Sequence, residues 1–390
     1  MAAMEEVLED GLTETQRMLR DTVRELAQKE FLPRAAELDE KAEFPMENFR
    51  RLAELGLTGI PIPEEHGGAG ADTLSFILAL EEIAKACGST CLTLAAHTSL
   101  GTMPILLFGN EALRKKHVPP NAKGETIGSY GLTEPGAGSD SGGTQTRAVK
   151  VDGGWRLNGS KIYMTNASVA DVMTVTAVTD PDAEKHARIS AFVLEPKAMK
   201  GVTVARKEDK LGCRGSDTCY VTFEDVHVPD ANLLGERGQG WRYFMEILDA
   251  GRIGIGAMAL GLAEGAYAKA LDYARERKTF GKPIGAHQAV AFLLADMKVE
   301  IEAARHFLYH AARLKDAGRP FRLEAAMGKL FASEMAMRVT RNAIQVLGGY
   351  GYMTEYGVER YYRDAKLCEI GEGTSEIQRI VISRQILGKL

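Results

Sequence analysis

From Gly238 onward the chain carries apolar residues at helical spacing through four runs: Trp241 to about Lys278, Gln288–Leu314, Leu323–Leu347 and Ser375–Leu387. The first is far too long for a strand and holds only glycine as a breaker. An amphipathic helix of this length must bury one face against other helices. Four of them with short connections predict a bundle, and their Ala- and Gly-rich faces predict close packing. This feature constrains the fold more than any other.

The preceding chain changes period twice. Thr13–Gln16 reads as a capping box, with Leu19, Val23, Leu26 and Ala27 at helical spacing behind it. Further helical patterns cover Phe49–Leu55, Thr73–Cys87 and the run from Ser89. Near Asn121 the signal turns strand-like. The segments Val172–Val178, Ile189–Leu194, Val202–Ala205 and Tyr220–Phe223 are short, β-branched and alternating, and Asp152-Gly-Gly and Asn158-Gly read as turns. Short strands without intervening helices predict a small β-barrel or sandwich. At 390 residues the chain is long for one core. The expected fold is α+β and multi-domain: an N-terminal helical domain (1–121), a middle β domain (122–234) and a C-terminal four-helix bundle (235–390).

A net charge of −5 argues against phosphate-neutralising nucleic-acid binding. Five cysteines without paired short spacing fit a reducing compartment and no disulfide framework. Cys87 and Cys91 lie a helical turn apart, as do His306 and His310. Neither pair has the companion ligands of a zinc site, so both read as packing or surface residues and no metal is expected. The N-terminal Met-Ala-Ala-Met-Glu-Glu is acidic where a targeting segment is basic. The uncharged run Ala86–Asn110 holds enough Ser, Thr, His, Gly and Pro to read as too polar for a membrane span. A cytoplasmic protein with no membrane partner is the expectation.

Two stretches carry the chemistry. In Tyr361–Arg379, Glu372 stands between Gly371 and Gly373. Glycines let a backbone bend close to a ligand, and a lone carboxylate there suits a base acting on a buried substrate. The same pattern is also a Gly-rich helix entry whose Glu favours the helix dipole. Gly131-Leu-Thr-Glu-Pro-Gly-Ala-Gly-Ser-Asp140 approaches a dinucleotide fingerprint, but Ser141 fills the last glycine position and no strand–turn–helix context surrounds it. Within the apolar run, Arg252 needs an anionic ligand or a structural salt bridge to Asp249.

A series of motifs in order along the chain resembles the acyl-CoA dehydrogenase family. The decapeptide is close to the family's Leu-Thr-Glu-Pro-Gly-Ala-Gly-Ser-Asp signature. Leu157-Asn-Gly-Ser-Lys-Ile-Tyr-Met-Thr-Asn166 is similar to its Leu-Asn-Gly-x-Lys-x-Trp-Ile-Thr-Asn, with Tyr163 where Trp is commoner. Leu248-Asp-Ala-Gly-Arg252, the run Glu276–Gln288 and Gln345-Val-Leu-Gly-Gly-Tyr-Gly-Tyr match in turn, and the Glu372 stretch matches the segment that carries the family's base. The resemblance implies FAD. Tyr130, Leu132, Thr133, Gly138, Ser139, Tyr163, Thr165, Thr374 and Glu376 would meet it in one subunit. Arg277, Phe280, Gln288, Gln345, Gly348 and Gly349 would reach the cofactor of a neighbour, which implies a homotetramer built of two dimers. Ser139, Asp249, Arg252, Gly371 and Gly373 would contact the acyl-CoA.

The implied reaction is α,β-dehydrogenation of an acyl-CoA thioester to a trans-2-enoyl-CoA. Glu372 would take the α-proton, hydride would pass to flavin N5, and an electron-transfer flavoprotein would receive the electrons. Some members carry their base on the helix of Arg252; here that position is Gly251, leaving Glu372. Straight-chain members usually have Tyr before the base and an isovaleryl-type member has Gly, so Gly371 implies short or branched acyl chains. Cys91 falls where glutaryl-type members place a carboxylate-binding Arg. The competing readings are an oxygen-using oxidase of the same fold and a non-catalytic CoA-ligand binding protein.

Overall fold

The computed structural model describes residues 11–388; the acidic start Met1–Glu6 lies outside them. The capping box forms as the sequence implies. Thr13 Oγ1 accepts from the Gln16 amide at 3.2 Å and Gln16 Oε1 accepts from the Thr13 amide at 3.0 Å. They open α1 (Glu14–Leu26). α2 (Ala35–Lys41), α3 (Met46–Glu54), α4 (Thr73–Ala86), α5 (Gly88–Ala95), α6 (Met103–Phe108) and α7 (Glu111–Ala122) follow. A π-type stretch, Ala96–Thr102, joins α5 to α6.

The run Ala86–Asn110 is more apolar than expected. The helical run Gly88–Phe108 is long and apolar enough to cross a membrane by length and composition, so the segment is not too polar. Two-thirds of its most apolar window is nevertheless buried inside the protein, which makes it a core helix.

The middle region is β. β1 (Gly128–Gly131), β2 (Arg147–Val151), β3 (Gly154–Thr165), β4 (Val172–Val178), β5 (Ile189–Leu194), β6 (Val202–Lys207), β7 (Thr218–Pro229) and β8 (Leu233–Leu234) form one sheet in the order 6-7-3-2-4-5-8, with β1 parallel to β4. β2 meets β4 only at Arg147 opposite Val178, so two antiparallel halves hinge there and fold over a shared core that includes Trp155, Phe192 and Phe223. Asp152-Gly153 makes the expected two-residue turn, with Val151 opposite Gly154. Asn158-Gly159 does not turn. It lies within β3, where the register to β7 slips between Leu157 and Gly159. Gly159 has φ +144°, and a Cβ there would stand 2.6 Å from Thr146 Oγ1, so the glycine serves a bulge and a close approach.

The C-terminal region contains α8 (Gly240–Glu276), α9 (Gln288–Asp316), α10 (Arg322–Leu347), α11 (Val358–Ile370) and α12 (Ser375–Leu387). α8, α10 and α12 follow their expected runs within a few residues, and α9 extends two further. The sequence reading omitted α11, and that helix, rather than α12, packs against both α8 and α10. α12 lies along α10. α4 also packs on α8, so the N-terminal helices and the bundle share one core.

Candidate active site

Glu372 sits in the turn between α11 and α12. α11 ends at Ile370, and Thr374 caps α12 by accepting from the Ile377 amide at 3.3 Å. Glu372 (φ +52°) and Gly373 (φ +93°) between them are both left-handed. That conformation costs a non-glycine residue about 1–3 kcal/mol and persists where its surroundings enforce it. The Gly373 carbonyl accepts from Lys329 Nζ at 2.7 Å and Gln378 Nε2 at 2.8 Å, and the Glu372 carbonyl accepts from Gln378 Nε2 at 3.3 Å.

The carboxylate points toward α8. Its Oε2 is buried without a hydrogen-bond partner, and it lies 2.0 Å from where a Cβ on Gly251 would be. Gly251 is therefore more than the absence of an alternative base: its missing side chain is the space Glu372 occupies. Burial pushes the Glu372 carboxyl up to about 7, with Lys329 and then Arg252 pulling it back. Tyr130 lies close enough for the Glu372 charge to add to the burial that raises its phenol.

The two Gly-rich motifs of the β region meet beside this turn. The Ile162 amide donates to the Thr133 carbonyl at 2.9 Å, and Ser129 Oγ to the Thr165 carbonyl at 2.7 Å. Tyr130, Leu132 and Thr133 thereby lie alongside Tyr163 and Thr165. Tyr130 stacks on Phe244, centroids 4.2 Å apart, and donates to its carbonyl at 3.2 Å. Tyr163 is 64% exposed at φ +56°, in the register slip between Lys161 and Met164. Regular alternation therefore breaks at Tyr163. Gly138 and Ser139 are exposed at the loop tip. A buried ion pair pins this assembly: Lys161 Nζ reaches Glu134 Oε1 at 2.7 Å and the Leu132 carbonyl at 3.0 Å, while Glu134 accepts from the Gln145 and Thr146 amides.

Asp249 and Arg252 are both buried and form the salt bridge that the sequence left as an alternative; Arg322 joins Asp249 at 2.5 Å. Arg252 Nε still lacks a partner, so the guanidinium retains a donor for a ligand. Thr374 and Glu376 act as helix-terminal residues, the first as cap and the second in the first turn of α12.

Arg277, Phe280, Gln288, Gln345, Gly348 and Gly349 are exposed. Phe280 is 95% exposed at φ +51°, the first central residue of the tight hairpin between Lys278–Thr279 (β9) and Lys282–Pro283 (β10). Arg277 and Gly349 line a hollow of about 400 Å³ with Tyr273, Thr279, Tyr350 and Met353; Glu372 does not line it. Of the expected site residues, Arg277 and Gly349 thus line a hollow to which Glu372 does not contribute.

Sequence models of the acyl-CoA dehydrogenase N-terminal, middle and C-terminal domains match residues 13–125, 129–226 and 238–387. The chain belongs to the acyl-CoA dehydrogenase family. A probable acyl-CoA dehydrogenase of Bacillus subtilis is 53% identical over 96% of this chain and 99% of that protein. Butyryl-CoA dehydrogenase from Megasphaera elsdenii superposes with a TM-score of 0.94 at 45% identity, over 97% of this chain and 99% of that one. A chain in the structure of the electron-transferring flavoprotein of Acidaminococcus fermentans gives 0.95 at 46%, over 97% and 100%.

Family membership implies a flavin, and the residues fit one. Tyr163 and Phe280 hold large rings out of the fold in left-handed backbone, an arrangement that a flat ligand would explain. At Gly138, Gly348 and Gly349 a Cβ would meet nothing within 4 Å, and the hollow beside Arg277 is of ligand size.

Sequence reasoning missed Lys329 and Gln378, which clamp the turn, and the Glu134–Lys161 pair inside two quoted motifs. Lys329 left a signal. It lies on the same helical stripe as Ala325, Ala332 and Ala336, a lysine on an otherwise inward face.

Proposed function

We propose that this protein is an FAD-dependent acyl-CoA dehydrogenase acting on short or branched acyl chains, with Glu372 as the base. The observation that carries this reading is the Glu372 carboxylate. Its Oε2 is buried and lacks a partner, the carboxyl is raised to about 7, and it fills the space left by Gly251. A carboxylate so poised is a stronger base than one in water. It takes the α-proton of the thioester as the β-hydrogen leaves with its electron pair, giving a trans-2-enoyl-CoA. A bound FAD supplies the acceptor for that hydride. The Glu372 amide is engaged by no acceptor among the described residues, so it is available to the thioester oxygen as negative charge develops there. Arg252, tied to Asp249, offers its free Nε to the CoA portion, with Ser139 and the glycines flanking the base lining the remainder.

Tyr130, Leu132, Thr133, Gly138, Tyr163, Thr165, Thr374 and Glu376 hold the flavin in this reading. Arg277, Phe280, Gln288, Gln345, Gly348 and Gly349 serve the cofactor of a second subunit, supported by their exposure and by the hollow that Arg277 and Gly349 line. A homotetramer, an electron-transferring flavoprotein as acceptor and a cytoplasmic setting complete the account, with domains at 1–121, 122–234 and 235–390.

Gly371 supports the substrate class. A Cβ there would meet only Leu367, at 3.4 Å or more, so the position is open beside the base. Cys91 is buried, with its thiol toward the Leu80 carbonyl at 3.3 Å, and supplies no charge for a glutaryl carboxylate. The test is Glu372→Gln. The variant should purify yellow and folded yet fail to bleach on anaerobic mixing with butyryl-CoA; bleaching at the parent rate would overturn the assignment of the base.

A further inference from the structure

α10 turns an inward stripe of Ala325, Ala326, Ala332, Ser333 and Ala336 to the core, and Lys329 stands in the middle of it, fully buried. Removing an ammonium from water is costly unless it is paired. Among the described residues the other fully buried lysine, Lys161, has the Glu134 carboxylate at 2.7 Å. Lys329 has no such carboxylate among the described residues; its hydrogen-bond partner is the carbonyl of Gly373, the residue after the base.

We propose that Lys329 is a positioning residue for the base: it anchors the Glu372–Gly373 turn through the Gly373 carbonyl and provides an un-neutralised positive charge that keeps Glu372 ionised and ready. This rests on the reading of Glu372 as the base. Charged and titratable groups reach the site from every packed element. Arg252 on α8 is neutralised by Asp249, which Arg322 of α10 also holds. Tyr130 of β1 faces Glu372, and Cys368 and Glu369 of α11 face Lys329. Among these, Lys329 alone carries positive charge with no direct counter-ion. Burial pushes Lys329 down to about 8, with Cys368 and Glu372 drawing it back up, while burial pushes Glu372 up to about 7. Between those values the carboxylate is free of its proton and the ammonium still holds its own. Clamping adds a second effect: a left-handed Glu372 is retained only while donors grip the carbonyls around it.

Lys329→Gln keeps a donor and removes the charge; Lys329→Met removes both. In the yellow holoenzyme, both should shift the acid limb of kcat/KM for butyryl-CoA upward by about one pH unit or more, because loss of a nearby cation raises a carboxyl. Lys329→Gln should keep its plateau kcat within a few-fold, and Lys329→Met should lose about tenfold, the effect of one charge-assisted hydrogen bond. A difference infrared titration of the carboxyl band, each protein against the same protein carrying Glu372→Gln, should show the same displacement without turnover. Flavin absorbance and thermal midpoint report folding; should Lys329→Met fail to fold, Lys329→Gln decides. The proposal is overturned if the folded variants keep the parent's acid limb and infrared titration, even where kcat falls, since that marks a merely structural lysine. If Glu372→Gln itself bleaches at the parent rate, the reading of the base fails instead.

Discussion

Replacing Gly251 by Ala tests the contact that shapes the site. A Cβ on residue 251 would stand 2.0 Å from Glu372 Oε2, and real Cβ atoms essentially never approach another heavy atom within 3.0 Å. The carboxylate must therefore retreat by at least the difference, 3.0 − 2.0 = 1.0 Å. A misplacement of about 1 Å at a reacting group costs roughly 100-fold in rate, or about 2.7 kcal/mol of barrier. Helix propensity acts in the opposite direction. Ala in the interior of α8 is better than Gly by about 0.5–1 kcal/mol, so activity and stability should part company. The assay is anaerobic stopped-flow bleaching of the flavin with butyryl-CoA, beside thermal unfolding. Gly251→Ala should be yellow and no less stable than the parent apart from the strain of moving Glu372, and bleach roughly 100-fold more slowly. Bleaching within a few-fold of the parent would refute the placement of Glu372 over Gly251. A variant that is slow because it is unfolded would instead refute the expectation that activity and stability part company.

Four further outcomes follow from the same geometry. Because Glu372 acts ionised and is raised to about 7, kcat/KM should fall as pH drops through about 7. Its folded pKa lies above its unfolded value, so the ionised form destabilises the fold above about 7 and the effect vanishes below the unfolded value of 4.5; Glu372→Gln should raise the thermal midpoint more at pH 8 than at pH 4. Glu134→Ala leaves Lys161 buried and unpaired, which costs about 3–5 kcal/mol; thermal unfolding should show a large drop in midpoint and a flavin spectrum should show weakened retention. Phe280→Ala removes a ring that is 95% exposed and should leave folding unchanged while weakening flavin retention on dilution; unchanged retention would remove Phe280 from the cofactor site.

Much of the fold was legible because its signal is periodic. Most helices of the bundle declared themselves by unbroken apolar spacing, and β4 and β5 by short segments read as β-branched and alternating, though both are buried throughout. α11 escaped because its buried face mixes Tyr361, Ala365 and Cys368 with Arg360 and Asp364, so no apolar stripe stands out. β1 escaped because Gly-Ser-Tyr-Gly has no alternation; its parallel pairing to β4 holds it. Asn158-Gly159 misled because an Asn-Gly pair serves a bulge as readily as a turn. At the site, the two glycines made Glu372 conspicuous, but nothing local reveals that Gly251, Lys329 and Gln378 converge on it. Those contacts arise only when α8, α10 and α12 pack around one turn. The left-handed backbone of Tyr163, Phe280 and Glu372 is likewise imposed by tertiary structure rather than by residue preference.

The central claim concerns one proton, and it can be followed apart from the hydride. The probe 3,3-dimethylbutyryl-CoA has α-hydrogens and no β-hydrogen to lose. Incubated with the yellow holoenzyme in D₂O and read by mass spectrometry, it should gain deuterium at the α-carbon with the parent protein and gain none above background with Glu372→Gln. Equal deuterium uptake with the two proteins would contradict the account, because some other group would then be removing that proton.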